Sequence, residues 1–427
     1  MSKTTSQQGP EPMLDGSSAG PVRIRGPLRR LLMWLAPTYA ALFAIWGAVP
    51  GILLALHVEH VDPVNKVANL AIVTTLGAVV SMLAQPVAGL LSDRTRSRFG
   101  RRAPWMVGGS AVGGVLLIAL GLQTTLVGIA VLWVAVSIAY NFAQSPLAAV
   151  MPDRIPRLAR GSFSALSGLG TLVGMLGGQF FGATLSGTIP LAYVVLAVAG
   201  VVMFVAFNTA NRDRSSLGLE PQRFSWRGLV RTFWVNPLHH PDFFWGFTGR
   251  FLLNLAYYIV AGGYLLYVLA DYIGLGTARA TAAVPLMAVA AAPGSVLATA
   301  LSGPLSDRIG RRKIFIVISG VVFGAAMVIP VVMPTTTGVL LTFAVGGLAY
   351  GVFQSVDAVL MSEVLPSAET FGKDLGIVNM AITLPQSLAP AIAGGLVLAF
   401  GYVWLFPAAS VLAVLGALCV LPIRSVR

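Results

Sequence analysis

The sequence predicts an all-α membrane protein: twelve transmembrane helices in two pseudo-symmetric six-helix bundles. Three observations carry this. Apolar runs long enough to span a bilayer recur along the chain, the basic residues collect on one side of them, and the second half repeats motifs of the first.

Of 427 residues, 56% are hydrophobic and only 10% are charged, with a mean hydropathy of +0.82. A soluble domain carries roughly 25% charged residues. The deficit places most of the surface against lipid, so the bilayer is the expected surrounding. The net charge of +13 does not indicate nucleic acid, because the charges sit in short segments between apolar runs. The single cysteine, Cys419, lies in the last run, so no internal disulfide forms. Arg outnumbers Lys 24 to 4 and Ala, Gly and Val abound, which points to GC-rich bacterial coding.

The predicted spans are 31–56, 67–91, 104–123, 125–150, 162–186, 188–210, 242–270, 280–304, 314–333, 336–361, 375–400 and 402–422. Each approaches or exceeds the ~20 helical residues that cross a ~30 Å hydrocarbon core. Strands are excluded because the runs lack a barrel's alternation. The first run exceeds a signal-peptide core and has no clean cleavage site behind it, so it is expected to stay in the protein.

Residues 1–30 form a polar tail ending in Arg23, Arg25, Arg29 and Arg30. That tail, the even-numbered turns and the tail at 423–427 hold 25 of the 28 Lys and Arg; the others are Lys66, Arg250 and Arg279. The positive-inside rule then puts both termini in the cytoplasm of a plasma (inner) membrane. The longest connection, 211–241, divides the chain into bundles at 31–210 and 242–422. Within it Arg223, Arg227 and Arg231 recur every four residues among aromatics, predicting a helix lying on the inner leaflet.

The repeat is explicit. GLLSDRTRSRFGRR at 89–102 matches GPLSDRIGRR at 303–312 once four residues are inserted in the first copy. IAYNFAQSPLAAVMPDRIP (138–156) aligns without gaps on LAYGVFQSVDAVLMSEVLP (348–366) at an offset of 210, so spans four and ten are equivalent. Duplicated halves around a midplane site are a common transporter plan.

The two loops resemble the G-x-x-x-D-R-x-G-R-R/K signature of the major facilitator superfamily. The longer form, SDRTRSRFGRRAPW, is similar to the loop of sucrose transporters and of glycoside-pentoside-hexuronide cation symporters. The resemblance covers about 31–422. It implies two halves related by an axis along the membrane normal, spans 1, 4, 7 and 10 around a cavity, alternating access by rocking, and a sugar-like solute. The cation symporters carry acids in spans one and two; here those spans have none, which argues against a sodium site of that kind.

Asp93 and Asp307 sit at basic-side helix ends, where a carboxylate can cap the backbone of a neighbouring helix. Arg94, Arg101, Arg102, Arg308, Arg311 and Arg312 can pair with Asp153 and Glu363, forming a cytoplasmic latch. Arg250 and Asp357 are the clear ionisable residues within the spans, at depths of ~12 and ~9 Å from the same side by helical rise. Buried charges cost several kcal/mol unless paired, so Arg250 and Asp357 are expected to pair, with a proton-coupling or substrate-binding role or a purely structural one. Polar and aromatic residues recur at helical spacing on the cavity spans: Trp46; Tyr140, Asn141 and Gln144; Asn254, Tyr257 and Tyr258; Tyr350 and Gln354. Amides with aromatic walls suit a hydroxylated solute. Small-residue stripes at Gly170, Gly174, Gly178 and Gly182, and at Ala291, Ser295, Thr299 and Gly303, read as a sliding surface between halves or as static packing. His57, Glu59, His60 and Asp62 crowd one outer loop and read as solvated.

No Walker loop, zinc motif or nucleophile elbow occurs, so no enzyme activity, cofactor or metal is expected. The expected activity is proton-coupled secondary transport of a small polar organic solute, a sugar or glycoside, by a monomer. The alternatives are a proton-antiport exporter of drugs or metabolites, and a transporter-like receptor or lipid-handling protein.

Overall fold

The computed structural model describes residues 26–156, 159–213, 215–217, 241–364 and 371–423, without the side chains of 362–363 and 371–377. Among the described residues the backbone is helix and turn, with no strand. The predicted leaflet helix of the long connection falls on 218–240, outside the described residues.

The helices are α1 (Pro27–Val61), α2 (Lys66–Arg94), α3 (Ala103–Gly121), α4 (Leu126–Ala148), α5 (Arg160–Thr184), α6 (Ile189–Ala210), α7 (Pro241–Ala261, continued by Leu265–Tyr272), α8 (Thr277–Ile309), α9 (Arg312–Val332), α10 (Thr336–Glu363), α11 (Phe371–Phe400) and α12 (Leu405–Leu418). Among the described residues nine are long and apolar enough to cross a membrane, or ten if the two arms of α7 count as one span. The remaining two are α5, diluted by glycine and serine, and α12, only 14 residues long. Outward faces carry Val131, Val202, Leu301 and Leu398, all more than half exposed, which fits contact with lipid.

Helices α1–α6 pack on one another, as do α7–α12. The sets meet along α2 against α11 and α5 against α8. The repeat is structural. Thr125 caps α4 by accepting from the Gly128 N–H at 3.2 Å, and Thr335 caps α10 by accepting from the Gly338 N–H at 3.1 Å. A Cβ at Gly89 would lie 3.2 Å from Ser145 Oγ, and one at Gly303 would lie 3.0 Å from Ser355 Oγ. Both signature glycines take positive φ, Gly100 at 88° and Gly310 at 67°, where an L side chain costs ~1–2 kcal/mol.

The small stripes do not form a sliding surface. A Cβ at Gly170, Gly174 or Gly178 would strike the carbonyls of Ala36, Ala40 and Ala44 on α1, within the same half. Gly347 and Gly351 of α10 sit equally close to Ala291 and Ser295 of α8. These are static seams inside each half.

Two helices are broken near the same level. α1 contains a π-helical turn, Val49–Leu53, at Pro50–Gly51, where proline removes one backbone donor. α7 bends by 51° at Gly262–Gly263, which have no side chains to hold a helix straight.

Candidate functional site

Between the halves lies a cavity of about 350 Å³, within the range of small-molecule sites. α1 contributes Trp46 and α4 contributes Trp133, Asn141 and Gln144; α5, α7 and α11 contribute Gln179, Tyr257, Tyr258 and Gln386. The walls are pre-organised. Trp46 Nε1 donates to Gln144 Oε1 at 3.0 Å, and the Trp46 and Trp133 rings meet edge-on at 6.0 Å. Gly77 leaves room for the Trp133 indole. Asn141 Nδ2 donates to the Ser137 carbonyl at 2.8 Å. Ser137 Oγ and Gln179 Oε1, of two residues that line the cavity, are buried without a hydrogen-bond partner among the described residues.

Five residues predicted for the cavity line it: Trp46, Asn141, Gln144, Tyr257 and Tyr258. The others do not. Tyr140 is fully buried inside the first half, its ring over Gly113 and its hydroxyl near Gly200. Asn254, Tyr350 and Gln354 form a hydrogen-bonded layer behind the wall. Tyr350 Oη donates to Asn254 Oδ1 at 2.9 Å, Gln354 Nε2 donates to Tyr350 Oη at 3.0 Å, and Asn254 Nδ2 donates to the Arg250 carbonyl at 2.8 Å. Tyr350 stacks on Tyr257 at 4.0 Å, which joins this layer to the cavity. Sequence spacing gives a helix face but not which of its residues stand in front.

Arg250 and Asp357 meet beyond that layer, with Nη1 2.9 Å from Oδ2. Both are buried, at 8% and 2% exposure. Arg250 Nε and Asp357 Oδ2 make no aligned hydrogen bond, so charge holds the pair. Neither residue lines the central cavity.

The basic-side loop pairs are also in place. Arg102 reaches Asp93 at 2.6 Å, Asp153 at 2.9 Å and Ser92 Oγ at 2.6 Å; Arg101 reaches Asp153 at 2.6 Å. In the second half Arg312 pairs with Asp307 at 2.7 Å. These pairs stay within one half each. Asp93 and Asp307 accept from arginines of their own loops, and no cap on a neighbouring helix occurs among the described residues. Arg94, Arg308 and Arg311 are exposed. The Glu363 side chain and those at the start of α11 lie outside the described residues.

The opposite face is sealed across the halves. Lys66 of α2 contacts Glu59 of α1 at 2.9 Å and Asp271 of α7 at 3.0 Å. Tyr402 Oη donates to Asp271 at 2.8 Å, and Thr277 Oγ1 donates to Glu59 at 3.2 Å. Tyr267 donates to the Ala55 carbonyl at 2.8 Å and Tyr264 to that of Val67 at 3.1 Å. The preceding turn is fixed by Asp62, which accepts from Asn65 and Asn69; the Asn65 side-chain bond foremost holds its carboxyl below the usual carboxylate range. His57 turns away and donates from Nε2 to the Gln123 carbonyl at 2.8 Å.

The profile of the family described as MFS/sugar transport protein matches residues 39–411. The chain belongs to that family. As an MFS/sugar transport protein it is a transporter-family chain and not an enzyme. The curated relatives match short segments. One is a symporter of Synechocystis sp., 34% identical over 93 residues, covering 19% of this chain and 17% of that protein. Another is the general alpha-glucoside permease of Schizosaccharomyces pombe, 43% identical over 51 residues, covering 12% and 9%. The chain thus spans less than a fifth of either relative in these matches. Among solved structures, the nucleoside transporter NupG matches with a TM-score of 0.75 at 15% identity, over 92% of this chain and 99% of that one. A bacterial homolog of the human lysosomal transporter Spinster, inward-facing and occupied, matches with 0.70 at 15% identity, over 93% and 97%. At such identity these two establish the fold alone.

The far seal of this MFS/sugar transport protein is what the sequence reading missed. Lys66 carried the available signal, as one of three cations away from the basic side. Its partner Asp271 is 205 positions distant, and no periodicity reports that pairing.

Proposed function

We propose that this chain is a secondary active transporter of a small polar organic solute of the sugar or glycoside type, coupled to protons and working by alternating access. One observation carries the reading: a cavity with amides from both halves and indoles from the first lies beneath a charge seal that ties those halves together at the Lys66 face. Amides supply both donors and acceptors for hydroxyl groups, and indoles supply flat apolar faces for sugar C–H groups. The printed names of the relatives, symporter and alpha-glucoside permease, point the same way.

In this reading the halves, 31–210 and 242–422, rock as a monomer in a bacterial inner membrane, with the basic face and both termini cytoplasmic and all twelve helices crossing. The described state is closed at the Lys66 face. The reverse state breaks that seal and engages the Asp93 and Asp307 loops as a latch. Asp357 carries the coupling proton. Burial favours its neutral form and Arg250 favours its carboxylate, and the Tyr350–Tyr257 stack conveys occupancy of the cavity to the pair.

The test is uptake of radiolabelled methyl α-glucoside into proteoliposomes. Accumulation driven by an inward-directed proton gradient is expected. Gradient-driven efflux would replace symport with antiport export. Absence of flux for any hydroxylated solute would favour the receptor or lipid-handling reading.

A further inference from the structure

Beside the central cavity lies a second one of about 240 Å³, between α5, α7, α8, α9 and α10. The two adjoin, sharing Met175, Gln179, Tyr257 and Ala261 on their walls. Their chemistry differs. The central cavity presents several amides, whereas the second is lined by Leu172, Leu176, Val260, Val296 and Met327 with an aromatic flank. That flank is the stacked Tyr257–Tyr350 pair with Phe323 at 6.5 Å from both. At the junction Gln179 offers a buried Oε1 that no protein donor satisfies.

We infer that the second cavity is a subsite for an aryl group attached to the solute, so that the favoured substrate is a hydroxylated solute bearing an aromatic substituent. This rests on reading the central cavity as a hydroxylated-solute site. An enclosed apolar space of about 150 Å³ suffices for benzene, so one ring fits with room for its linkage. Tyr257 and Tyr350 give that ring an offset or edge-on partner. Gln179 Oε1 is placed to accept a hydrogen bond from a hydroxyl at the point where the polar part ends. Ala288, Ala292 and Gly346 are small residues of this wall that the central cavity does not share. A bilayer acyl chain entering between α5 and α8 is the competing occupant. Continuity with the amide-lined cavity favours the solute, because a ligand spanning both is held at two chemically distinct ends.

The experiment compares methyl α-glucoside with 4-nitrophenyl α-glucoside for binding to the purified full chain, in wild type and in Ala292→Phe, which fills the subsite. The aryl glucoside is expected to bind wild type on the order of tenfold more tightly through its buried ring area. Ala292→Phe is expected to abolish that preference while binding the methyl glucoside as wild type does, which also shows that it is folded. Ala288→Leu serves if the larger side chain prevents folding. Equal affinities in wild type, or a preference surviving both variants, overturn the subsite and leave the sugar reading standing. A lipid retained by wild type and lost from Ala292→Phe in native mass spectrometry, with no aryl preference, likewise overturns it. Binding of neither glucoside overturns the sugar reading and this inference together.

Discussion

Lys66 and Asp271 lie 205 positions apart in the chain and 3.0 Å apart in space. They join α2 of one half to the bent end of α7 in the other. Lys66→Ala removes its contacts with both Asp271 and Glu59, each worth ~1.5–3 kcal/mol as a charge-assisted hydrogen bond before screening. In a Cys419→Ser background with a cysteine at Thr74 on the cavity wall, labelling by an impermeant maleimide from the Lys66 face is expected to rise about tenfold. The charge swap Lys66→Asp with Asp271→Lys is expected to restore slow labelling in part. An unchanged rate in Lys66→Ala would remove the seal from the transport cycle.

Asn141→Ala and Gln144→Ala are expected to weaken glycoside binding, since one buried hydrogen bond is worth ~1–3 kcal/mol, or roughly 5- to 150-fold. Tyr140→Phe is expected to change little, because its hydroxyl faces the interior of the first half and has no partner to lose. Equilibrium binding on the three purified variants checks this. A large effect of Tyr140→Phe alone would mean that the cavity wall is drawn on the wrong residues.

The buried pair separates two roles. If Asp357 carries the coupling proton, Asp357→Asn keeps solute exchange and loses accumulation driven by a proton gradient. A structural pair behaves otherwise. Stranding either charge costs ~3–5 kcal/mol, and neutralising both relieves it. Gradient-driven uptake by the Arg250→Ala, Asp357→Asn double variant decides. Wild-type accumulation there makes the pair structural.

Adjacent glycines of α5 differ sharply. A Cβ at Gly178 would run into the Ala44 carbonyl, whereas one at Gly177 meets nothing within 4 Å. Gly178→Val is therefore expected to destabilise the protein by ~1–3 kcal/mol or more through overpacking, with loss of monodisperse material on size exclusion. Gly177→Val is expected to run as wild type.

Helix positions, the repeat and the ion-paired loops were legible because each is written locally. Apolar runs mark lengths, and Thr125 and Thr335 stand at matching offsets. Arg102 reads as a partner of Asp153, which it reaches, but its contact with Asp93, read as a helix cap, is not foreseen. Depth within a bundle is different. Tyr140 and Asn141 are neighbours in sequence, yet one faces α3 and α6 while the other faces the cavity. Only the packing of the other helices decides between them. The glycine stripe of α5 showed that a close partner exists, but α1 and α8 were equally good candidates until the Ala36, Ala40 and Ala44 carbonyls were seen against it. Contacts between halves were least legible, since Glu59, Lys66 and Asp271 stand at outer helix ends, where charged residues look merely hydrated.

The bend at Gly262–Gly263 gives α7 two arms that answer to different neighbours. The lower arm bears Arg250, Asn254 and Tyr257 and belongs to the charge pair and the cavity wall. The upper arm bears Tyr267 and Asp271 and belongs to the seal. With no side chain at the joint, torsion there meets little steric resistance. In the proposed transport cycle the upper arm is then the part that swings as a lid, while the lower arm stays with the cavity wall. In that proposed cycle, entry through the Lys66 face divides into two events in sequence, a door closing first and the frame tilting afterwards, with a fully enclosed solute between them.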